Sequence, residues 1–252
     1  MTDLFDQVVN YNCDRDLFRN IVSLRDSQDL FDDLSDAPSA WTAAQTLEMA
    51  SKPYPYVSPQ SVIDRPFEES AYYQAIQYPF RNWAQSRYSD GSYGVWYGAD
   101  TLVTTIHETA YHWRQGLLAD AGWQDLLGVR IERKVYKVHC QSLLLDFRSL
   151  IRTHPALVDP RSYQYTQHVG QRLHREGHPG LVSRSARCTG DVYALFAAQA
   201  LSTPRPYCYL TYRLDECGVR VERQPGQTLM TLPSETAMPA AAPLSASATT
   251  LS

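Results

Sequence analysis

The sequence is short of the features that would settle its class at a glance. Its five cysteines, at 13, 140, 188, 208 and 217, form no C-x-x-C pair and leave one unmatched, so neither a disulfide framework nor a thiolate zinc site is indicated and a reducing compartment fits best. No run of residues approaches the roughly 20 apolar positions that span a bilayer. Basic residues are not in excess: 23 Lys and Arg against 27 Asp and Glu give a formal charge of −4. That balance argues against sequence-independent binding to nucleic acid, which needs cations to displace counterions. There is no G-x-x-x-x-G-K-[ST] and no G-x-G-x-x-G after a strand, which leaves phosphate-loop and Rossmann sites unsupported, and no G-x-S-x-G elbow for a serine hydrolase. The start, Met1-Thr-Asp-Leu-Phe-Asp, has acids where a leader would carry Lys or Arg, so the expectation is a cytoplasmic protein.

What is present is ordinary globular composition, 44% apolar and 20% charged, in 252 residues. Residues 1–52 read as a helical extension: Leu4, Phe5, Val8 and Val9, then Leu17, Ile21 and Leu24, then Leu30, Phe31 and Leu34 recur among acids. The prolines of Ser51-Lys-Pro-Tyr-Pro-Tyr-Val-Ser-Pro59 end it in an extended connector. The main domain is placed at 53–224. In it Glu68 to Trp83 reads as helix broken at Pro79, Tyr93 to Ala99 as strand, and the next residues as a helix capped by Asp100 or Thr101 with Leu102, Ile106, Ala110, Trp113 and Leu117 on one stripe. Val129–Cys140 and Leu143–Phe147 read as strands, Arg161–Arg175 as helix, Gly180–Ser185 and Val192–Ala197 as strands, and Tyr207–Arg213 with Val219–Glu222 as a closing hairpin. The expected class is α+β. Residues 225–252 turn to Ala, Ser, Thr and Pro and are expected to be disordered.

A few residues stand out chemically. His107 and His112 lie five apart, about 140° round a helix, too divergent for the shared face that zinc-ligating histidines need, so no metal is expected. Glu108 falls opposite the apolar stripe, with Thr104, Tyr111 and Gln115, where it is either solvated or lines a cleft. Arg87 sits in the polar loop Gln85-Ser-Arg-Tyr-Ser-Asp-Gly-Ser-Tyr-Gly94, and its planar fork would suit a diphosphate. Ser185, in Gly180-Leu-Val-Ser-Arg-Ser-Ala-Arg, is better suited to hydrogen-bonding than to nucleophilic attack, and Ser183 could take either role in its place.

Taken together, Arg87, Tyr97, Glu108 and Ser185, spaced as in R-Y-S-D-G-S-Y-G-V-W-Y-G-A-D, I-H-E and G-L-V-S-R-S-A-R, resemble the RES domain over about residues 60 to 215. The resemblance implies an ADP-ribosyltransferase-like α+β fold, with a mixed or antiparallel sheet and flanking helices. It implies an enzyme that breaks NAD⁺ at the nicotinamide–ribose bond, an NAD⁺ glycohydrolase or phosphorylase acting as the toxin of a toxin–antitoxin pair. NAD⁺ is then substrate, phosphate a possible co-substrate, and no cofactor is needed. Glu108 would carry the chemistry, Arg87 grip the diphosphate, Tyr97 pack near the nicotinamide riboside and Ser185 position the ligand. The implied partner is a helical antitoxin of Xre type. Two alternatives remain open at this point, a protein ADP-ribosyltransferase and a non-catalytic binding protein of the same fold.

Overall fold

The computed structural model describes residues 4–23, 70–120 and 127–233. Its framework is an eight-stranded sheet with few helices, an α+β arrangement. The strands are β1 (Val9–Val22), β2 (Trp96–Ala99), β3 (Arg130–Asp146), β4 (Gly180–Arg184), β5 (Asp191–Leu195), β6 (Leu201–Asp215), β7 (Gly218–Gln224) and β8 (Gln227–Pro233), in the order β1-β2-β5-β4-β3-β6-β7-β8. A further pairing of β1 with β3 closes β1, β2, β5, β4 and β3 into a ring. The closure is uneven. β1 and β3 pair along all of β1, whereas β1 meets β2 only at Phe18 and Ala99, and β3 meets β4 only at residues 145–146.

The helices are a single turn α1 (Leu4–Gln7), α2 (Tyr78–Arg81) continuing a π turn over Tyr73–Gln77, α3 (Leu102–Asp120) and α4 (Gln164–Arg175). Thr101 caps α3: its hydroxyl accepts a bond from the Thr104 amide at 3.1 Å, meeting one of the orphan N–H groups of the first turn. Ile106 and Ala110 then bury against Val135, Leu210, Tyr212, Leu214, Val219 and Val221 of β3, β6 and β7. Burying Ile106 alone favours this docking by about 2 kcal/mol. The opposite side of α3 is thereby aimed back towards β1 and β2.

Several sequence expectations are corrected. Residues 9–22, read as helix, are strand β1. The reason is that the buried Cys13 and Leu17 lie four apart, a spacing that one helix face and one strand face both satisfy, and fourteen ladder pairs with β3 decide for the strand. The helices expected over Leu24–Met49 and the connector after them lie outside the described residues. Pro79 does not end its helix: α2 follows directly on the π turn, and the Ala75 carbonyl, four residues before the proline, accepts from the Trp96 indole N–H at 2.6 Å. The two strands expected at 129–147 are one continuous strand, β3. The disorder expected from 225 is contradicted as far as 233: Gly226, at φ 77°, turns the chain into β8, which pairs with β7. Residues 234–252 lie outside the described ones. Among the described residues no helix is long and apolar enough to cross a membrane.

Candidate functional site

Arg87 sits at the tip of a knotted loop. The Ser86 amide donates to the Ser89 carbonyl at 2.8 Å, the Ser89 hydroxyl donates to the Tyr93 carbonyl at 2.7 Å, and the Gln167 amide of α4 reaches the Ser86 and Ser89 carbonyls at 3.0 and 3.2 Å. Tyr97 on β2 completes the knot: its hydroxyl accepts from the Tyr88 amide and donates to the Ser86 hydroxyl, both at 2.9 Å. Burial holds the Tyr97 phenol well above its usual range, and that of Tyr88 up to about 12, so both stay protonated donors. Gly170 is required where α4 crosses the loop, because a Cβ there would run into the Tyr88 carbonyl. Held this way, the Arg87 guanidinium lies 4.4 Å from the centre of the Tyr163 ring and donates to the Asp159 carbonyl at 3.0 Å, while Nη2 is buried without a partner.

Glu108 faces the same space from α3. The lining positions of this helix are Thr105, Glu108, Thr109 and His112, a stripe at three- and four-residue spacing. The sequence reading grouped Glu108 with Thr104 instead; Thr104 is buried, its hydroxyl donating to Asp100 at 2.7 Å, and Gly190 packs against it. The Ser185 hydroxyl donates to Glu108 Oε1 at 2.5 Å and accepts from the Arg187 and Cys188 amides at 2.9 and 3.2 Å. Ser185 therefore fixes one carboxylate oxygen and leaves the other for a ligand. Ser183, the alternative, is buried, and its hydroxyl makes no hydrogen bond to Glu108.

The third wall is one that sequence reasoning missed. Arg19 and Asn20 of β1 line the cavity. Arg19 Nη1 donates to the Tyr97 carbonyl at 2.8 Å, its guanidinium lies 5.5 Å from the Trp96 ring centre, and its Nε is buried and unpartnered. Burial, then repulsion from Arg133, lowers its pKa to about 10, which still leaves it a cation at neutral pH. Asn20 is held by Arg133 Nε at 2.7 Å and donates to the Tyr212 hydroxyl at 2.8 Å. The signal that could have found Arg19 is a strand reading of residues 9–22, which puts it beside Tyr97.

The space so enclosed measures about 360 Å³ and is also lined by Gln85, Gly98, Ala99 and Val192. Two guanidiniums and one carboxylate give its wall a net positive charge, with a carboxylate set among neutral hydroxyls. Such a wall suits a ligand that is anionic at one end and becomes cationic at the other. All four residues singled out in the sequence meet here, Arg87, Tyr97 and Glu108 on the wall and Ser185 behind Glu108. Tyr97 differs from expectation in that its hydroxyl is occupied by the Arg87 loop, so only its ring is offered to the cavity. Among the described residues no cluster of His, Cys, Asp and Glu is arranged to hold a metal ion.

A family model described as the RES domain matches residues 68–215. No curated protein matches the chain. Among solved structures, that of the M. tuberculosis MbcT–MbcA toxin–antitoxin complex is similar, at 10% identity and a TM-score of 0.43, covering 82% of this chain and 88% of that one.

Proposed function

Because the chain belongs to the RES domain family, we propose that it cleaves NAD⁺ at the nicotinamide–ribose bond. The observation that carries this reading is the convergence on one cavity of Glu108 with Arg19 and Arg87. Both guanidiniums line the cavity, one from β1 and one from the loop before β2, and a diphosphate would match their paired charge.

Loss of nicotinamide leaves positive charge on the ribose. A fixed carboxylate beside that ring interacts more strongly with the transition state than with bound NAD⁺, which is the condition for raising the rate. The Glu108 carboxylate is already fixed by Ser185, so little reorganisation accompanies the reaction. Nicotinamide departs as a neutral molecule, and no acid has to protonate it. The acceptor is water or phosphate, and the consequence in a cell would be loss of NAD⁺, the action of a toxin. On family grounds the partner would be a helical antitoxin of Xre type, and the setting the cytoplasm.

The test is product analysis after incubation of the purified protein with NAD⁺. Nicotinamide with ADP-ribose identifies hydrolysis, nicotinamide with ADP-ribose 1″-phosphate in phosphate buffer identifies phosphorolysis, and a mass increment on protein would instead favour transfer to a protein side chain. Intact NAD⁺ after long incubation would overturn the proposal.

A further inference from the structure

His112 belongs to none of the roles assigned so far, yet it lines the cavity one helical turn beyond Glu108. We propose that His112 is the proton acceptor that lets water serve as the second substrate. The inference rests on the NAD⁺-cleaving reading and names the group that completes it.

The proton balance requires such a group. When the C1′–N bond breaks, its electron pair goes to the nicotinamide nitrogen. A water oxygen then bonds to C1′, and one of that water's protons must leave. Glu108 is poorly placed to receive it, because protonation would remove the negative charge that stabilises the ribose cation while that cation still exists. Of the other titratable groups on the cavity wall, Arg19 and Arg87 are cations, Tyr88 and Tyr97 are phenols kept protonated by burial, and the Tyr163 ring is covered by the Arg87 guanidinium at 4.4 Å. Thr109 is occupied: its hydroxyl donates to the Thr105 carbonyl at 2.7 Å and lies 2.9 Å from the Tyr212 hydroxyl.

His112 has the opposite character. The residue lines the cavity and is solvent-exposed, its ring meets Tyr111 edge-on at 5.5 Å, and its nitrogens make no hydrogen bond among the described residues. The charged groups facing it are Glu108 on its own helix, Arg87 from the loop before β2, Arg187 from the loop after β4 and Arg133 on β3. Loss of hydration lowers its pKa, Glu108 opposes this as the next largest influence, and Arg187, Arg87 and Arg133 each lower it by less. The direction of that shift favours the neutral imidazole, which can accept a proton and pass it to solvent. The net step is NAD⁺ plus water giving nicotinamide, ADP-ribose and one proton.

An acceptor that arrives as an anion needs no proton removed, and this separates a base from a merely structural residue. Nicotinamide release is measured against pH for the wild type, His112→Gln and His112→Ala, in phosphate-free buffer with and without azide, with NAD⁺ affinity measured alongside. We expect the wild-type rate to fall in acid with a midpoint below the usual histidine range. His112→Gln should lower kcat roughly 100-fold with KM nearly unchanged and abolish that acid limb, in line with general-base contributions of about 10²–10⁴. Azide should restore nicotinamide release by His112→Ala to within about tenfold of wild type. An acid limb that persists in His112→Gln, or a variant that binds NAD⁺ normally yet gains nothing from azide, overturns the role of His112 while leaving the NAD⁺-cleaving reading intact. A wild type that releases no nicotinamide in phosphate-free buffer but does so in phosphate buffer overturns the role of His112 alone; one that releases none in either buffer overturns the NAD⁺-cleaving reading and this one with it.

Discussion

Arg19 and Arg87 reach one cavity by different routes. Arg87 rides on a loop whose shape depends on side-chain hydrogen bonds, above all those of the Tyr97 hydroxyl to Tyr88 and Ser86. Arg19 stands on a strand paired along its whole length with β3 and takes its direction from the Tyr97 carbonyl. Tyr97 is therefore a post shared by both cations, through its side chain for one and its backbone for the other. A loop-borne arginine is adjustable and vulnerable, while a strand-borne one is rigid and needs few dedicated residues. The difference also explains why one was visible in the sequence and the other was not.

The comparison breaks most visibly if both cations are removed. The Arg19→Ala/Arg87→Ala pair should weaken NAD⁺ binding by roughly 10²–10⁴-fold, since each charge-assisted bond contributes about 1.5–3 kcal/mol; calorimetric titration of the two single variants should show comparable losses, and an Arg19→Ala protein that binds as well as wild type would remove β1 from the site. Gly170→Ala attacks the loop alone. It drives a methyl group into the Tyr88 carbonyl and should lower stability by about 2–3 kcal/mol, a fall of roughly 5–10 °C in a thermal melt. Tyr97→Phe is subtler: it leaves the Tyr88 amide without its acceptor at a cost of about 1–2 kcal/mol, yet retains the carbonyl that orients Arg19. Its effect on NAD⁺ affinity should therefore be additive with Arg19→Ala and non-additive with Arg87→Ala in a double-mutant cycle. Ser185→Ala, the mildest, frees one Glu108 oxygen and should lower kcat about tenfold with little change in KM.

How much of this could be read in advance follows the same division. The α3 stripe was legible because Ile106 and Ala110 obey helical spacing against a real apolar surface, and Glu108 opposite them had to face solvent or a cleft. The Arg87–Tyr97–Glu108–Ser185 set was legible through its resemblance to the RES domain, although Ser185 lies 77 residues from Glu108. β1 was not legible: its only fully buried side chains are Cys13 and Leu17, and the rest of Val9–Val22 is polar enough to suit an exposed helix. What makes it a strand is β3, about 120 residues later in the chain, a partner that no window of local sequence contains. Missing the strand meant missing Arg19 and Asn20 together. β8 escaped for a similar reason, since Gln227–Pro233 buries little and owes its form to the ladder with β7.

The central claim is that Glu108 acts on the breaking of the nicotinamide–ribose bond and not on holding NAD⁺. It is tested most directly by measuring NAD⁺ affinity and nicotinamide release for the wild type beside Glu108→Gln. The account predicts affinity unchanged within a few-fold and release slowed at least about 100-fold, as expected when one preorganised electrostatic contact to the transition state is lost. A Glu108→Gln protein that releases nicotinamide at the wild-type rate, or a wild type that does not bind NAD⁺, would contradict it.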